Sequence, residues 1–587
     1  MGEHFKSFDD SSHTLVSLMN VLEALWTYVP SSTNTTEIAD ISLYDHAKVT
    51  AGLANAMYLY AREHGESDYK TYFYKSGTKQ RDTSMFRIVS GELVGIENFI
   101  YTASGKGALK SLRGRAFYLD LLVEHIVDEI LDTLNLNRCN LLHTGHGHFY
   151  LLVPNLCNTD SQLKALQDAF NDWFLNNTNV GIYLALASTP WTANQLRGQS
   201  KDKITIGNVF TQSSKSIENA KKRPYSQVQL MKLFDPRSSL NRVETGSREC
   251  AMCKSSYKDD LSNLSDYRKE NRETSDAELC HMCGSLYQWG ELLVQEGKSF
   301  YVIKDGEEDG LPLPTLRTET SLTLHAYTKE EVKALGAGNA YRIYVKNGQY
   351  TGSNVETHLW IGDYMAKLPY GKPYTFEEFA QINHGVNKLG VLRIDIDDLT
   401  YIFKTAFSGM DGAHQTLSRL ATLSRNLSLF FKYYVNTVAN MRLNDESESK
   451  ELAYRLWPKE NKSREIGIVY SSGDELFVVG AWDEVLGFSI DLYKTFKRFT
   501  GGYLTFSAGL AMVPPNIPIR TMADVAGTYE RTSKKRMGKD SITLFQEFMD
   551  DSRKNLSNPY MHTFSWDEFV DDVIAKKVEF LRPYIVG

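Results

Sequence analysis

Residues 465–480 read Glu465-Ile466-Gly467-Ile468-Val469-Tyr470-Ser471-Ser472-Gly473-Asp474-Glu475-Leu476-Phe477-Val478-Val479-Gly480. Ile466 to Tyr470 is a run of strand formers, and Leu476 to Val479 is another. Ser471-Ser472-Gly473-Asp474 between them is a small polar turn of the kind that closes a hairpin. Both arms are apolar on both faces, the pattern of central strands covered by helices. The acids at the tip have a plain explanation, because Asp is common in turns.

A second stretch changes that reading. Val391-Leu392-Arg393-Ile394-Asp395-Ile396-Asp397-Asp398-Leu399 is an apolar strand that ends in three carboxylates and runs into a helical pattern. Three acids on one solvated strand end repel each other. A divalent cation removes the repulsion, and oxygen-only ligands suit magnesium or manganese. Beside the hairpin, this strand brings Asp395, Asp474 and Glu475 together. Such a cluster holds metal ions that clamp a nucleoside triphosphate and activate an attacking hydroxyl.

These residues carry a family resemblance. Ser472-Gly473-Asp474-Glu475-Leu476 resembles the GGDEF/GGDD hairpin of nucleotidyl cyclases with a polymerase-like palm. Asp395-Ile396-Asp397-Asp398-Leu399 resembles the D-x-D-N/D-L strand of one branch, the large subunit of type III CRISPR effector complexes, nearest the III-A type. Two positions depart from the pattern: Ser472 stands where Gly is usual, and Glu475 where Asp is usual. The resemblance implies a subunit that condenses ATP into cyclic oligoadenylate when its complex binds target RNA. Guide RNA, target RNA and the other type III-A subunits would be its partners. Magnesium or manganese would sit on Asp395, Asp474 and Glu475. Ser472, Gly473, Ser507 and Lys539 would contact the nucleotide, with Ser507 bordering the base and Lys539 facing phosphate. If position 472 needs positive φ, Ser there costs on the order of 1 kcal/mol. Glu475 moves its carboxylate by about 1 Å relative to Asp, which matters to a strictly octahedral ion. A weakened cyclase, more active with manganese, is the expectation. It would gain from Ser472→Gly combined with Glu475→Asp.

At 587 residues the chain exceeds a single core. Hydrophobic content of 42% and charged content of 23% are ordinary for a folded protein. A net charge of −7 excludes a surface that coats nucleic acid as a whole, leaving local patches such as Lys221-Lys222-Arg223 and Arg531 to Lys539. No run of about 18 apolar residues predicts a membrane span. The polar N-terminus has no signal-peptide core, and six cysteines do not make a secreted disulfide framework. A cytoplasmic protein with no membrane partner is the default.

Two ferredoxin-like palms are expected, in an α+β fold with a zinc-binding insert and helical ends. Residues 1–80 read as helical, a remnant of the family's HD nuclease domain. The His-Asp dipeptide that binds metal in that domain is absent from the whole sequence, and Asp45-His46 is the reverse order on an amphipathic helix. Residues 81–200 repeat the βα-ββ-αβ order of a ferredoxin-like palm. The pieces are strand-like runs Met85 to Val89 and Gly95 to Tyr101, a helix from Ala108 to Leu134, a hairpin from Asn140 to Val153, a helix from Ser161 to Asn176 and a strand from Val180 to Ala187. Its hairpin carries His143, His146 and His148 in place of acids, so it is read as degenerate. Arg113 and Arg115 face either phosphate or solvent. Residues 201–385 form the insert, marked by Cys250-x-x-Cys253 and Cys280-x-x-Cys283. Two knuckles of two thiolates complete a closed tetrahedral zinc shell with no open position, so the role is structural. His281 inside the second knuckle is read as a non-ligand. Residues 386–548 form the second palm, with a helix from about His414 carrying Leu417, Leu420, Leu423 and Leu427. Residues 549–587 begin a C-terminal helical domain. The chain covers the central part of the family, as a fragment or a naturally reduced form. The rival readings are an inactive RNA-binding scaffold and a diguanylate-cyclase-like enzyme. Two palms on one chain and the zinc insert speak against the second.

Overall fold

In the computed structural model, the hairpin at 466–481 is the edge pair of a six-stranded sheet. The structure describes residues 12–36, 38–102, 107–145, 147–178, 181–238, 240–241, 243, 246–257, 261–264, 277–306, 310–316, 321–335, 339–348, 356–399, 401–402, 416–440, 454–457, 463–545 and 562–585. Contacts divide the chain into two units. The first comprises residues 1–100, 117–360 and 400–427, and the second 101–116, 361–399 and 428–587.

The first unit contains a four-stranded antiparallel sheet. Its strands are β1 (Phe86–Val94), β2 (Leu141–Gly145), β3 (His148–Pro154) and β4 (Tyr183–Trp191), in the order β2-β3-β1-β4. This is the strand order of a ferredoxin-like fold. β1 is one strand from Phe86 to Val94, not two runs. Gly95 ends it at φ +95°, where an added Cβ would lie 2.0 Å from the Gly181 carbonyl oxygen, and Ile96–Tyr101 is a short helix. The last strand starts at Tyr183; Val180 lies outside the described residues.

A five-stranded sheet that the sequence patterning did not disclose also belongs to this unit. It is made of Leu311–Leu313, Leu322–Tyr327, Phe300–Asp305, Arg342–Lys346 and Glu356–Leu359. A largely buried ionic network, with Asp132 at its exposed end, ties it to the helix Ala108–Thr133. The Tyr344 hydroxyl donates to Asp128 at 2.6 Å, Arg342 pairs with Glu129 and Asp132, and Arg138 pairs with Asp128 and Glu124. Near the N-terminus, Arg425 grips Asp45 with Nε and Nη2, each 2.9 Å from a carboxylate oxygen. Asp45 is buried, so Asp45-His46 is part of a packed helix–helix contact between Leu43–Glu63 and Leu417–Leu429. His414, the expected start of the second of these helices, lies outside the described residues.

The second unit repeats the palm order with additions. Its sheet is β6 (Ile466–Ser472), β7 (Glu475–Ala481), β5 (Leu389–Ile396), β8 (Phe506–Val513), β9 (Ser541–Leu544) and β10 (Thr563–Ser565), hydrogen-bonded in that sequence. The first four follow the same 2-3-1-4 plan as the first sheet. β9 adds parallel to β8, and β10 antiparallel to β9. Every residue of β6 and β7 is buried, which explains why Ile466–Tyr470 and Leu476–Val479 are apolar on both faces.

Two helices cover opposite faces of this sheet. α1 (Trp482–Phe499) lies against Gly390, where an added Cβ would be 2.7 Å from Trp482 Cα. α2 (Ile519–Lys535) lies against Gly509, where a Cβ would be 2.3 Å from both the Ala526 oxygen and the Glu530 nitrogen. Because residues opposite each other in antiparallel strands share a face, α2 covers the face that carries Arg393, Asp395 and Ser507.

Candidate active site

Asp395 is the residue on which the site is built. In the ladder it stands directly opposite Glu475 on β7 and Ser507 on β8. Ser472 pairs with Glu475, so Gly473-Asp474 is a two-residue turn. The Asp474 amide donates back to the Ser472 carbonyl, and the Asp474 carbonyl accepts from the Ile396 amide at 3.1 Å. The turn is thereby stitched to the end of β5. The sequence brought together Asp395, Asp474 and Glu475, and the register places them at adjoining strand ends.

The protein supplies positive charge to two of these carboxylates. Lys534 Nζ lies 2.6 Å from Asp395 Oδ1 and 3.4 Å from Glu530. Arg393 Nη2 lies 3.7 Å from Glu475 Oε1, and the Tyr470 hydroxyl donates to Glu475 Oε2 at 3.2 Å. Burial raises the pKa of Glu530, and the charges of Asp395 and Glu475 add to that. Burial works against the Lys534 ammonium, but Asp395 and Glu530 more than offset it, and its pKa stands raised. Burial also raises the Tyr470 phenol, with Tyr101 and Glu475 contributing.

The three acids at the end of β5 do not act as one cluster. Asp397 is buried and accepts from Ser507 Oγ at 2.7 Å, Thr505 Oγ1 at 2.8 Å and the Asp540 amide at 3.0 Å. Asp398 turns outward at φ +55° and pairs with Lys539 at 2.5 Å. Each acid has its own counter-group, so their repulsion is resolved one at a time.

Other expectations shift accordingly. Ser507 is fully buried with its hydroxyl donated to Asp397, which places it under the site and not on a base-exposed rim. Ser472 is absent from the residues with positive φ, so the strain anticipated for a serine there does not arise. The basic patch from Arg531 to Lys539 is helical as far as Lys535, so Lys534 projects from α2. Arg113 and Arg115 are both buried, so neither is a surface arginine. In the first palm, His143 bonds the Ser424 hydroxyl while His148 lies 3.5 Å from Glu92. These two rings turn to different partners, and His146 lies outside the described residues.

The cysteines form a separate centre in the first unit. The sulfurs of Cys250, Cys253, Cys280 and Cys283 all lie within 4.8 Å of one another, with 3.9 Å between Cys253 and Cys280. Tetrahedral zinc with bonds of about 2.3 Å spaces its sulfurs at about 3.8 Å, so the set fits zinc. Cys250 Sγ also accepts from the Cys280 amide at 3.4 Å, and Lys254 takes φ +61° to close the first knuckle. His281 is exposed. Among the described residues this is the one group of three or more His, Cys, Asp or Glu with ligand atoms so gathered. No described helix is long and apolar enough to cross a membrane.

Arg393, Tyr470, Glu530 and Lys534 were missed in the sequence. A signal existed for one pair: Glu530 and Lys534 are four apart, the spacing of a helical ion pair. For Arg393 and Tyr470 the sequence offered only membership of apolar strands.

Comparison with known proteins finds family matches in two stretches of the chain. Residues 85–236 match the family model for the Csm1 subunit domain B, and residues 388–543 match that for the Cas10/Cmr2 second palm domain. A CRISPR system single-strand-specific deoxyribonuclease Cas10/Csm1 (subtype III-A) of Mycobacterium tuberculosis is 34% identical over 586 residues, covering 98% of this chain and 66% of the relative. Its namesake in Streptococcus thermophilus is 31% identical over 577 residues, covering 98% and 67%. The chain belongs to the Cas10/Csm1 family of type III-A CRISPR systems. It spans about two thirds of the length of these curated family members. A crystal structure of a Csm1–Csm4 cassette in complex with pppApA superposes with a TM-score of 0.69 at 24% identity, over 97% of this chain and 67% of that one. A Csm1–Csm4 subcomplex of the type III-A interference complex gives 0.68 at 23%, over 100% and 73%. The family fold therefore extends across both units.

Proposed function

We propose that the second palm is a nucleotidyltransferase that condenses ATP into cyclic oligoadenylate within a type III-A CRISPR complex, on binding of target RNA. One observation carries the reading: Asp395 faces Glu475 in register, with Asp474 in the turn of the same hairpin. Their hard oxygen donors suit magnesium or manganese, which when bound would supply Lewis acidity toward phosphate and attacking hydroxyl. Gly473 leaves the turn without a side chain at the approach to phosphate. Lys539 sits at an outward corner on Asp398, a cation that can exchange this partner for phosphate. Ser507 and Thr505 hold Asp397 and with it the end of β5. Solved Csm1–Csm4 cassettes include complexes with AMPPNP, pppApA and cA4, and family membership supports the same ligand class and a Csm4-like partner here. The four cysteines hold zinc as a structural centre.

The relatives are named as single-strand-specific deoxyribonucleases. We infer that this chain lacks an HD nuclease, because it contains no His-Asp dipeptide and Asp45 is engaged by Arg425.

The scaffold reading has one observation in its favour, the neutralisation of Asp395 and Glu475 by Lys534 and Arg393. Mass spectrometry of products from labelled ATP, in a complex reconstituted with its partners and target RNA, separates the two. Cyclic oligoadenylate is expected from ATP and not from GTP, and Asp474→Ala should abolish it. A wild type as silent as Asp474→Ala would leave only the scaffold.

A further inference from the structure

Glu475 is longer by one methylene than the aspartate usual at its position, and the structure uses that length. Its Oε2 accepts from the Tyr470 hydroxyl at 3.2 Å, and the Tyr470 hydroxyl oxygen in turn accepts from the Tyr101 hydroxyl at 3.4 Å. Tyr470 reaches the carboxylate because β6 is bulged. Ile468 pairs with Val478, on the face of Leu392. Strict alternation would put Tyr470 on that same face. The register shift between Ile468 and Tyr470 instead pairs Tyr470 with Phe477. The two rings stack with centroids 5.7 Å apart and planes 6° from parallel. Phe477 shares its face with Glu475, Arg393 and Asp395. A bulge of this kind re-aims a side chain and increases local twist.

We propose that Tyr470 is a positioning residue that fits a glutamate to the cation-binding end of this palm. The bulge delivers its phenol to one carboxylate oxygen while Arg393 faces the other, and together they orient a side chain that has one torsion more than aspartate. The inference rests on reading Asp395, Asp474 and Glu475 as cation ligands, and is independent of which product the palm makes. The Gly473-Asp474 turn supplies one fixed edge, and Tyr470 the other.

Manganese alone is the probe. Its binding to the full chain is followed by the loss of the free-ion electron paramagnetic resonance signal, in wild type, Tyr470→Phe, Glu475→Asp and the double variant. Tyr470→Phe keeps the stacked ring, so melting without manganese should stay within a degree or two of wild type. It should weaken manganese binding about tenfold. In turnover it should raise the manganese concentration needed for half-maximal rate while leaving the rate at saturating manganese near wild type. Glu475→Asp should weaken binding as well, the reverse of the gain expected from the sequence, because the shorter carboxylate falls away from the phenol. The double variant should then be no weaker than Glu475→Asp alone, since the shared contact is already gone. Additive losses would show that the phenol acts through general packing, and would overturn the proposal while leaving the site intact. A wild type that binds no more manganese than Asp474→Ala would instead remove the cation-site reading, and this proposal with it.

Discussion

At the scale of single residues, Asp395, Asp397 and Asp398 show how one acidic run is divided among three jobs. Alternation points Asp395 along the site face, while Asp397 is held in the interior by Ser507, Thr505 and the Asp540 amide. Asp398 leaves the strand through a left-handed backbone, as do Lys539 and Asp540 at φ +52° and +42°. Non-glycine residues in this region carry strain that surrounding contacts must hold. Asp540 adds an electrostatic component. Burial, then Asp397 and Asp567, push its carboxyl up to about 6. An ordinary aspartate titrates near 3.9, so between about pH 4 and 6 the folded chain keeps a proton that the unfolded chain has released. Stability contributed there falls as pH rises through that window. Asp540→Asn should flatten it and stabilise the fold at pH 7 by about 1 kcal/mol, discounted for the half-exposed carboxyl. Thermal melting across pH 4–7 measures both effects; equal slopes for the two proteins would refute the assignment.

At the scale of elements, the site depends on how closely α2 lies on β8. Gly509 permits that approach, and Lys534 reaches both Asp395 and Glu530 from the same helix. The atoms a Cβ would strike are backbone atoms, which do not move alone. Gly509→Ala should therefore lift α2, costing about 1–3 kcal/mol and lowering manganese affinity by more than the stability change alone accounts for. Denaturant unfolding paired with a manganese titration tests this. The cysteine knuckles are a second such element. One zinc per chain is expected by elemental analysis, and replacing any one of Cys250, Cys253, Cys280 or Cys283 by Ser should lower zinc content and solubility before it alters chemistry at the palm. The basis is that a closed four-thiolate shell contributes folding free energy and offers no open position.

At the scale of the whole molecule, two sheets share one strand order, but only the second carries acids at its hairpin. The first places His143 and His148 there and turns them to Ser424 and Glu92. Chemistry is thus expected from the second palm alone. Incubation of the full chain with single-stranded DNA and magnesium, manganese or cobalt should yield no cleavage. Cutting that disappeared when residues 1–75 were removed would restore a nuclease to the N-terminal region.

The sequence by itself determined the two palms, the hairpin and its acids, and the cysteine pairing pattern. Each is written in local periodicity or in fixed spacing: strand runs, a polar turn, two CxxC knuckles. It also contained the strand that would place Asp395 beside the hairpin. Only the tertiary structure decided which of the three acids at the end of β5 faces the site, because one residue of register or one left-handed backbone turn reverses a side chain's direction. It alone disclosed Arg393, Tyr470, Glu530 and Lys534 as neighbours of Asp395 and Glu475. Those contacts join residues from 393 to 534 across three strands and a helix, and depend on a bulge and a glycine whose effects appear only when the elements are packed. The five-stranded sheet of the insert was hidden for a related reason: its short strands pair across connections that carry no periodic signal, and its ionic contacts are with a helix distant in sequence.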